Sequence, residues 1–542
     1  MRISNVEKER QLAQAGASPA RLAIELEQPV ASGEPLGPAN RIIAAESDFE
    51  QRAGSSWLYA ALLSVVVARL WIVPLRDGFW IDETGTMWSI QGGLKNILAR
   101  CALWPAQSPA YSFVAWLMYK IKGPNEFLIR LPSLVAMTLA TYLLYRLAFR
   151  LIGRAAAWPS IILFASFGAV AFAAGDARPY AIATLAAIGG VFFLVRWLDT
   201  SRLIDGLCYC VLASLSVYMH FLFATTFLVH LVYGVYRSRN EKRVSIGQLC
   251  LAAATIGALL VPFVFHMLAL MKTAHSHSFA GTPTGTDFFT LFAPPVVVGS
   301  ALGALLLTFL AKRPLSFARV HLGDSSLVLL ASWTLIPMTV LYTASVFTSL
   351  KVFLPRYTLP SEAGLALLGG WLLSSIAPTK IRTAVVGAIV LATVATAPSA
   401  AFSHGGDWRA AMASVRSTVG ASDMPVLVRA DFPESEPFDW LHDEARKSYL
   451  FAPLGVYPAA GEVLPLPMHP NEASSSYLNE LVPRLEKSNR FLLVNMGDPG
   501  YQNWLLGRLS PEGFVRRRVG SFGGSLSVDM YQRAVETRRL QQ

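Results

Sequence analysis

Long apolar runs with almost no charge follow one another through most of this chain, the first at residues 57–75 and the last at residues 383–402. About 17 to 25 apolar residues are needed to cross a bilayer as a helix, and by that measure the chain has about eleven predicted spans. After residue 402 the hydropathy falls, and charged and turn residues become frequent. The pattern predicts a mainly α-helical, polytopic membrane protein with a polar C-terminal part.

Basic residues between the predicted spans give the orientation. They cluster in every second connection, for example at residues 146–154 and 237–243. Such clusters stay on the cytoplasmic side, so the N-terminus is predicted to be cytoplasmic. Segment 108–121 is apolar but only about fourteen residues long. We interpret it as a juxtamembrane helix in the outer interface, because a span here would place the arginine clusters outside.

This topology divides the chain into three predicted regions. Residues 1–55 mix charges with Gly, Pro and Ala and are expected to form a flexible cytoplasmic tail. Residues 56–402 form the membrane module, in which residues 76–126 make one large external loop. Residues 403–542 are expected to fold as a small α/β domain on the periplasmic side. The strands predicted there are 425–429 and 491–495, and the helices are 408–419 and 477–486.

Composition agrees with a membrane protein. The sequence is 53% hydrophobic and 15% charged, which is too apolar for a soluble enzyme. The net charge of +11 does not indicate a nucleic-acid partner, because many of the basic residues are accounted for by the orientation pattern. The four cysteines show neither a disulfide framework nor a zinc-binding spacing.

The unusual polar residues converge at the outer boundary of the predicted spans. Each one alone could be an ordinary residue at the end of a span. Together they describe a cavity with carboxylates on one side and cations on the other. They are Asp82 and Glu83 in the first external loop, Asp176, Arg178 and Tyr180 after the third span, His220 after the fifth, and Lys351, Arg356 and Tyr357 before the tenth.

Several short motifs contain these residues in a fixed order: Ile81-Asp82-Glu83, Asn125-Glu126-Phe127-Leu128-Ile129-Arg130-Leu131-Pro132-Ser133, Gly175-Asp176-Ala177-Arg178-Pro179-Tyr180-Ala181, Tyr218-Met219-His220-Phe221, Leu354-Pro355-Arg356-Tyr357 and Asp407-Trp408-Arg409. With this order the chain resembles the GT-C superfamily of glycosyltransferases that use polyprenyl-phosphate-linked sugars, over residues 70–409. The similar branch contains the protein O-mannosyltransferases and the aminoarabinose transferases. The resemblance implies a GT-C-type bundle of about eleven spans with external juxtamembrane helices.

By this resemblance Asp82 is the catalytic base. Transfer of a sugar from a lipid phosphate to a hydroxyl needs a base near the acceptor, and the leaving phosphate needs charge stabilisation more than a proton. A single displacement would invert the anomeric centre. Glu83 either contacts a ligand or orients the loop by accepting hydrogen bonds. Asp176 either orients Arg178 or contacts the acceptor, unless the two form a simple interfacial ion pair.

The cationic residues are expected to bind the donor. Arg356 can hold phosphate oxygens with two hydrogen bonds, and Lys351 could add a second charge; the alternative for both is contact with lipid headgroups. Tyr180 and Tyr357 are expected to bind the donor or the acceptor, and His220 either contacts a ligand or is a packing residue. Related proteins often have His-Pro-Pro where this chain has Gln107-Ser108-Pro109, so the acceptor here could differ.

The expected function is therefore that of a bacterial inner-membrane glycosyltransferase with its site facing the periplasm. It would move a sugar from a polyprenyl-phosphate-linked donor to a hydroxyl on lipid A, another cell-envelope glycan or a protein, in contact with membrane lipids. The sequence leaves the sugar and any cofactor unknown. His275 and His277 have the spacing of a metal pair without a third ligand. The rivals are a multi-pass lipid or solute transporter and a non-catalytic relative.

Overall fold

The computed structural model describes residues 56–104, 107–272, 281–397, 406–496, 499–509 and 513–534. The predicted tail, residues 1–55, and the pair His275 and His277 lie outside these residues. The chain divides into two compact units, Met1–Trp57 and Leu58–Gln542. The structure described below belongs almost entirely to the second unit.

Sixteen helices precede the C-terminal part within the described residues. Six of them are long and apolar enough to cross a membrane, and two bent pairs bring the number of candidate spans to eight. The other three predicted spans correspond to the shorter helices Leu203–Met219, Thr226–Asn240 and Leu359–Ser374. In chain order the helices are α1 (Ser56–Arg76), α2 (Ile81–Ile90), α3 (Leu94–Leu103), α4 (Pro109–Lys122), α5 (Glu126–Leu151), α6 (Arg154–Ser166), α7 (Gly168–Ala174), α8 (Tyr180–Thr200), α9 (Leu203–Met219), α10 (Thr226–Asn240), α11 (Ile246–Lys272), α12 (Gly285–Phe292), α13 (Pro295–Leu310), α14 (Asp324–Phe347), α15 (Leu359–Ser374) and α16 (Thr379–Thr396).

The first external loop is mostly helical because its sequence contains strong start and stop signals. Ser108 caps α4 by accepting a hydrogen bond from the backbone N–H of Tyr111, and Pro109 occupies the first turn. Gly123 ends α4 at a φ of 67°, a conformation that favours glycine. Asn125 then caps α5. Helix α4 matches the predicted juxtamembrane segment in position and length.

In its described residues the C-terminal part contains five helices and a five-stranded sheet. The strand order is β2-β1-β3-β5-β4, in which the first three strands are parallel and the last two antiparallel to their neighbours. The two strands expected from the sequence are β1 and β3. The elements are α17 (Trp408–Val419), β1 (Pro425–Arg429), α18 (Glu444–Leu450), α19 (Ala452–Val456), β2 (Glu462–Leu466), α20 (Ser475–Lys487), β3 (Arg490–Met496), α21 (Pro499–Leu509), β4 (Phe514–Ser521) and β5 (Leu526–Arg533).

This C-terminal part, although predicted as a domain of its own, packs into the same compact unit as the membrane helices. Its contacts hold the chain between α1 and α2. Arg409 donates to the carbonyl of Arg76 at 2.7 Å and to Glu126 at 3.2 Å. The Tyr457 hydroxyl donates to Glu126 and accepts from the backbone N–H of Phe79, both at 2.9 Å. The start of α2 is therefore fixed from outside by residues more than three hundred positions later in the chain.

Replacement of Gly78 by alanine should destabilise the contact between the chain before α2 and the start of α17. A Cβ at Gly78 would lie 2.3 Å from Oδ1 of Asp407, and Asp407 cannot move away freely because the same oxygen caps α17. We expect a loss of about 1–3 kcal/mol, as for other overpacked positions, measured as a lower thermal midpoint in nanodiscs. Gly257→Ala in α11 is the control, since nothing lies within 4 Å of its new Cβ. Equal midpoints for Gly78→Ala and wild type would contradict the close approach.

Candidate functional site

A buried ion pair forms the base of the site. Glu83 and Arg130 are both fully buried, and their side chains meet through Nε–Oε1 at 2.7 Å and Nη2–Oε2 at 2.5 Å. Arg130 also donates to the carbonyls of Asp77 at 2.6 Å and Gly78 at 3.0 Å. The Glu83 carboxylate accepts a third hydrogen bond, from the backbone N–H of Ala177 at 2.7 Å. The pair thus joins the start of α2 to the chain before it and to the chain between α7 and α8.

These contacts decide between the two roles that the sequence allowed for Glu83. Its carboxylate also accepts from the backbone N–H of Trp80 at 3.2 Å, which caps the N-terminus of α2. A fully buried carboxylate with this set of partners is suited to orienting the chain around it. The geometry therefore favours the orienting role of Glu83 over contact with a ligand.

Asp82 points to a different side of the helix and is partly open. Its carboxylate lies 3.5 Å from Nη1 of Arg356, and the two side chains are 22% and 18% exposed. Arg356 sits in a short 3₁₀ turn, Pro355–Tyr357, before α15. Its guanidinium lies over the rings of Trp80, at 5.7 Å, and Tyr357, at 5.3 Å. The predicted base and the predicted phosphate ligand are therefore paired with each other, and both are partly exposed.

Arg178 also lies against α2, close to Asp82. Its Nη1 donates to Oε1 of Gln107 at 2.8 Å, and it lies 3.4 Å from both the carbonyl of Asp82 and the hydroxyl of Thr86. The Nε of Arg178 is buried and has no hydrogen-bond partner within the described residues. Gln107, and not Asp176, thus holds the guanidinium, contrary to one of the expectations from the sequence.

His220, Tyr180 and Tyr357 form an aromatic group beside the two arginines. The His220 ring lies 5.0 Å from Tyr180 and 5.2 Å from Tyr357. Its Nδ1 is buried and lacks a partner in the part of the chain that the structure describes. The structure thus brings His220 together with both tyrosines and leaves its polar atom available.

Asp176 is fully buried behind this group. Its Oδ1 accepts a hydrogen bond from the indole N–H of Trp80 at 3.0 Å, while Oδ2 has no partner among the described residues. Burial raises the pKa of Asp176 well above its ordinary value, and the nearby carboxylate of Glu83 raises it further. Within the described residues the side-chain partner of Asp176 is therefore Trp80 and not Arg178, with which the sequence left an interfacial ion pair open.

Lys351 is held at the end of α14. Its ammonium group donates to the carbonyls of Ser345 at 2.7 Å and Thr348 at 3.1 Å. A cation at the C-terminus of a helix satisfies carbonyls that have no partner within the helix. The structure therefore gives Lys351 a helix-capping position, which the sequence interpretation did not identify.

Three residues of the site were not singled out as site residues from the sequence. Arg130 lies within the motif at the head of α5, but its burial against Glu83 could not be seen there. Gln107 was noticed as a departure from related sequences and not as a partner of Arg178. Tyr449, from the C-terminal part, packs its ring against Trp88 and Trp104 and lies with the Gln107 amide beside Gly85. No local signal in the sequence marks it.

Metal ligands do not gather in this site. Within the described residues no group of three or more His, Cys, Asp or Glu side chains could hold a metal ion. The pair His275 and His277 lies outside those residues.

The chain is similar to known proteins in part of its sequence and in its fold. Residues 106–276 match the family described as dolichyl-phosphate-mannose-protein mannosyltransferase. The fold is similar to that of ArnT from Cupriavidus metallidurans bound to undecaprenyl phosphate, with a TM-score of 0.51 and 14% identity over 88% of this chain and 98% of ArnT. The apo state of ArnT gives a TM-score of 0.52 and 11% identity over the same shares of the two chains. None of the curated proteins matches the chain in sequence.

The chain has the GT-C fold. The resemblance to the GT-C superfamily is thereby confirmed. The match to the mannosyltransferase family covers about a third of the chain, whereas the structural likeness to ArnT covers most of it. The chain is thus a multi-pass membrane protein with the fold of a membrane glycosyltransferase.

Breaking the buried Glu83–Arg130 pair should lower the stability of the folded protein. Arg130→Leu would leave the Glu83 carboxylate buried without its counter-ion, for which a loss of about 3–5 kcal/mol is expected. The measurement is the thermal midpoint and the yield of folded protein in nanodiscs. Lys447→Leu is the matched control, because the Lys447–Glu444 pair is exposed and should contribute less than about 1 kcal/mol. Comparable losses for the two variants would refute the central place of the buried pair.

Asp176 predicts a dependence of stability on pH. A carboxyl whose folded pKa is raised favours the folded state at pH values below its unfolded pKa, near 3.8. That contribution is lost as the pH rises from there toward the folded pKa. Asp176→Asn cannot ionise, so its thermal midpoint relative to wild type should increase between pH 4 and pH 7. A difference that stays constant over this range would show that Asp176 titrates normally.

Proposed function

We propose that the protein transfers a sugar from a polyprenyl-phosphate-linked donor to a hydroxyl acceptor, with inversion at the anomeric carbon. One observation carries this proposal: a partly exposed carboxylate and a partly exposed guanidinium, those of Asp82 and Arg356, lie 3.5 Å apart in a GT-C fold. A base and a phosphate ligand at that separation are the two groups that the reaction requires.

Arg356 binds the donor phosphate. Guanidinium groups hold phosphate oxygens through two parallel hydrogen bonds and keep their charge in a partly buried site. Arg178, whose Nε has no hydrogen-bond partner among the described residues, supplies a second donor near Asp82. The leaving group is a lipid phosphate, and it departs as an anion that these cations stabilise without a proton transfer.

Asp82 accepts the proton of the acceptor hydroxyl as its oxygen attacks the anomeric carbon. In the structure the Asp82 carboxylate is paired with Arg356. The donor is a phosphodiester, and its single negative charge, shared by two oxygens, competes for the same guanidinium. Donor binding therefore weakens the Asp82–Arg356 contact and leaves the carboxylate free to act as a base.

An apolar cavity next to the site offers room for part of the isoprenoid chain. It has a volume of about 370 Å³ and lies between α1, the bend from α6 to α7, the start of α13 and the end of α16. Phe172 forms part of its wall and also packs edge-on against Trp80 at 5.6 Å, which places the cavity beside the ring over which Arg356 lies. Residues lining the cavity include Leu70, Phe167, Ala171, Val296 and Val297.

The acceptor is a hydroxyl of a cell-envelope molecule such as lipid A, another glycan or a protein. The arginine clusters on one side of the predicted spans favour a bacterial inner membrane with the site facing the periplasm. The donor pentose or hexose is not distinguished by these residues, since a phosphate-binding site accepts many sugars.

Replacement of Asp82 tests the proposed chemistry. Asp82→Asn keeps the shape of the side chain and removes the base, so transfer should fall by about 10²- to 10⁴-fold. The measurement is transfer of radiolabelled sugar from extracted polyprenyl-phosphate donors to membrane acceptors at matched expression. Asp423→Asn is the control, since Asp423 is exposed in a turn of the C-terminal part.

The outcomes separate the alternatives. Loss of transfer in Asp82→Asn alone supports Asp82 as the base, and the labelled product identifies the acceptor. Undiminished transfer by Asp82→Asn removes Asp82 from the chemistry. Absence of transfer by wild type with every donor would remove the polyprenyl-phosphate donor from the proposal and leave the transporter as the rival function.

A further inference from the structure

Trp80 is held at the start of α2 by its backbone. Its N–H donates to Oε2 of Glu83 at 3.2 Å, and its carbonyl accepts from the N–H of Thr84 at 3.0 Å. Any residue other than proline has the backbone groups for both bonds. The cap of α2 therefore does not depend on the indole, and the contacts of the indole are separate from it.

The indole of Trp80 is held in place by residues in and after α7. Its N–H donates to Oδ1 of Asp176 at 3.0 Å, and its ring meets that of Phe172 edge-on, with 5.6 Å between the ring centres. Phe172 lies in α7, and Asp176 follows that helix and is fully buried. An indole nitrogen can only donate, so it requires an acceptor at this place. The hydrogen bond and the ring contact together restrict the rotation of the indole.

The guanidinium of Arg356 lies over the ring that Asp176 and Phe172 hold. Its Cζ is 5.7 Å from the centre of the Trp80 ring, which is within the range of a cation–π contact. The ring of Tyr357 lies 5.3 Å from the same carbon. Arg356 comes from the 3₁₀ turn before α15, far from Trp80 in the chain. Trp80 therefore joins three segments: the start of α2, the chain after α7 and the turn that contains the predicted phosphate ligand.

A carboxylate and an aromatic ring hold an arginine in different ways. The carboxylate of Asp82, 3.5 Å from Nη1 of Arg356, attracts the N–H groups of the guanidinium. A ring contacts the face of the guanidinium and leaves the N–H groups, which lie in its plane, directed outward. A phosphate requires these same N–H groups, so it competes with the carboxylate and not with the ring. The contact between Trp80 and Arg356 is therefore compatible with a bound donor.

We propose that Trp80 is a positioning residue of the active site: its indole, oriented by Asp176, supports one face of the Arg356 guanidinium while the N–H groups of that guanidinium bind the donor phosphate. The proposal rests on the proposed function for the identity of the ligand. It gives Asp176 a task that is neither contact with the acceptor nor orientation of Arg178. Through one hydrogen bond, a fully buried carboxyl group influences how firmly the phosphate is held.

The test is binding of undecaprenyl phosphate to the full-length protein in nanodiscs, titrated by mole fraction and measured by native mass spectrometry. Trp80→Leu keeps the backbone bonds of the cap and removes the ring. Its dissociation constant should rise about three- to thirtyfold, as expected for loss of a cation–π contact. Trp116→Leu is the matched control and should bind as wild type does, because Nζ of Lys120 lies over the Trp116 ring at the same 5.7 Å but in α4.

Variants of Asp176 separate positioning from packing. Asp176→Asn retains an oxygen that can accept from the indole, so its dissociation constant should stay within about twofold of the wild-type value. Asp176→Leu is of similar size and has no acceptor, so binding should weaken about three- to tenfold because the indole is no longer oriented. Trp80→Phe keeps a ring and lacks the N–H, and it should weaken binding to a similar degree.

The double variant of Trp80→Phe and Asp176→Leu tests the connection between the two residues. Both substitutions remove the same hydrogen bond, so the double variant should bind undecaprenyl phosphate no more weakly than the weaker single variant. Unchanged binding in Trp80→Leu, equal losses in Asp176→Asn and Asp176→Leu, or fully additive losses in the double variant would each overturn the proposal.

Failure of the proposed function gives a different result. A wild-type protein that binds undecaprenyl phosphate but transfers no sugar would contradict the proposed chemistry, and the binding data would still decide the positioning claim. If wild type does not bind undecaprenyl phosphate, the structure of Asp176→Leu in nanodiscs, determined by electron cryomicroscopy, decides it. A displaced Arg356 guanidinium with an otherwise unchanged fold supports the claim. A guanidinium that keeps its place over the Trp80 ring overturns it.

Discussion

The buried pair of Glu83 and Arg130 is the interaction on which the rest of the site depends. A carboxylate and a guanidinium without access to water are stable only when their remaining donors and acceptors are also satisfied. Here the backbone does this, with carbonyls of the chain before α2 accepting from Arg130 and backbone N–H groups donating to Glu83. The charges therefore determine the path of the backbone, and the backbone determines where Asp82 and the chain around Asp176 lie.

Adjacent acidic residues have separate tasks because they lie in the first turn of a helix. Successive side chains of a helix point about 100° apart, so Glu83 can face the interior while Asp82 faces the opening. The sequence interpretation placed both residues in a loop. In a loop the directions of the two side chains are not determined, so neither could be assigned a separate task. The cap that starts the helix comes from Glu83 itself and from the backbone of Trp80. One side chain thus both begins the helix and orients its neighbour.

Hydropathy predicted the apolar helices, the juxtamembrane helix and the two central strands well, because each of these depends on a local pattern of burial. The cluster of Asp82, Arg178, His220 and Arg356 was also predictable, since membrane topology places the ends of alternate spans at one surface. Contacts of Gln107 and Tyr449 were not. Gln107 reaches Arg178 through one hydrogen bond, and Tyr449 packs its ring on Trp88 and Trp104. Single contacts of this kind between distant segments leave no periodic signal. The close packing of the C-terminal part was missed for the same reason, since its contacts with the first loop involve scattered residues such as Arg409 and Tyr457.

The bond between Phe79 and Tyr457 spans 378 positions of the chain. A ribosome completes the segment around Asp82 long before it reaches the residues that hold that segment from outside. During synthesis the apolar and charged groups of the first loop therefore stay only partly covered until the last quarter of the chain has emerged. The order of synthesis makes completion of the C-terminal part the final step in assembling the site, so a prematurely terminated chain would contain every predicted span and still lack a finished centre.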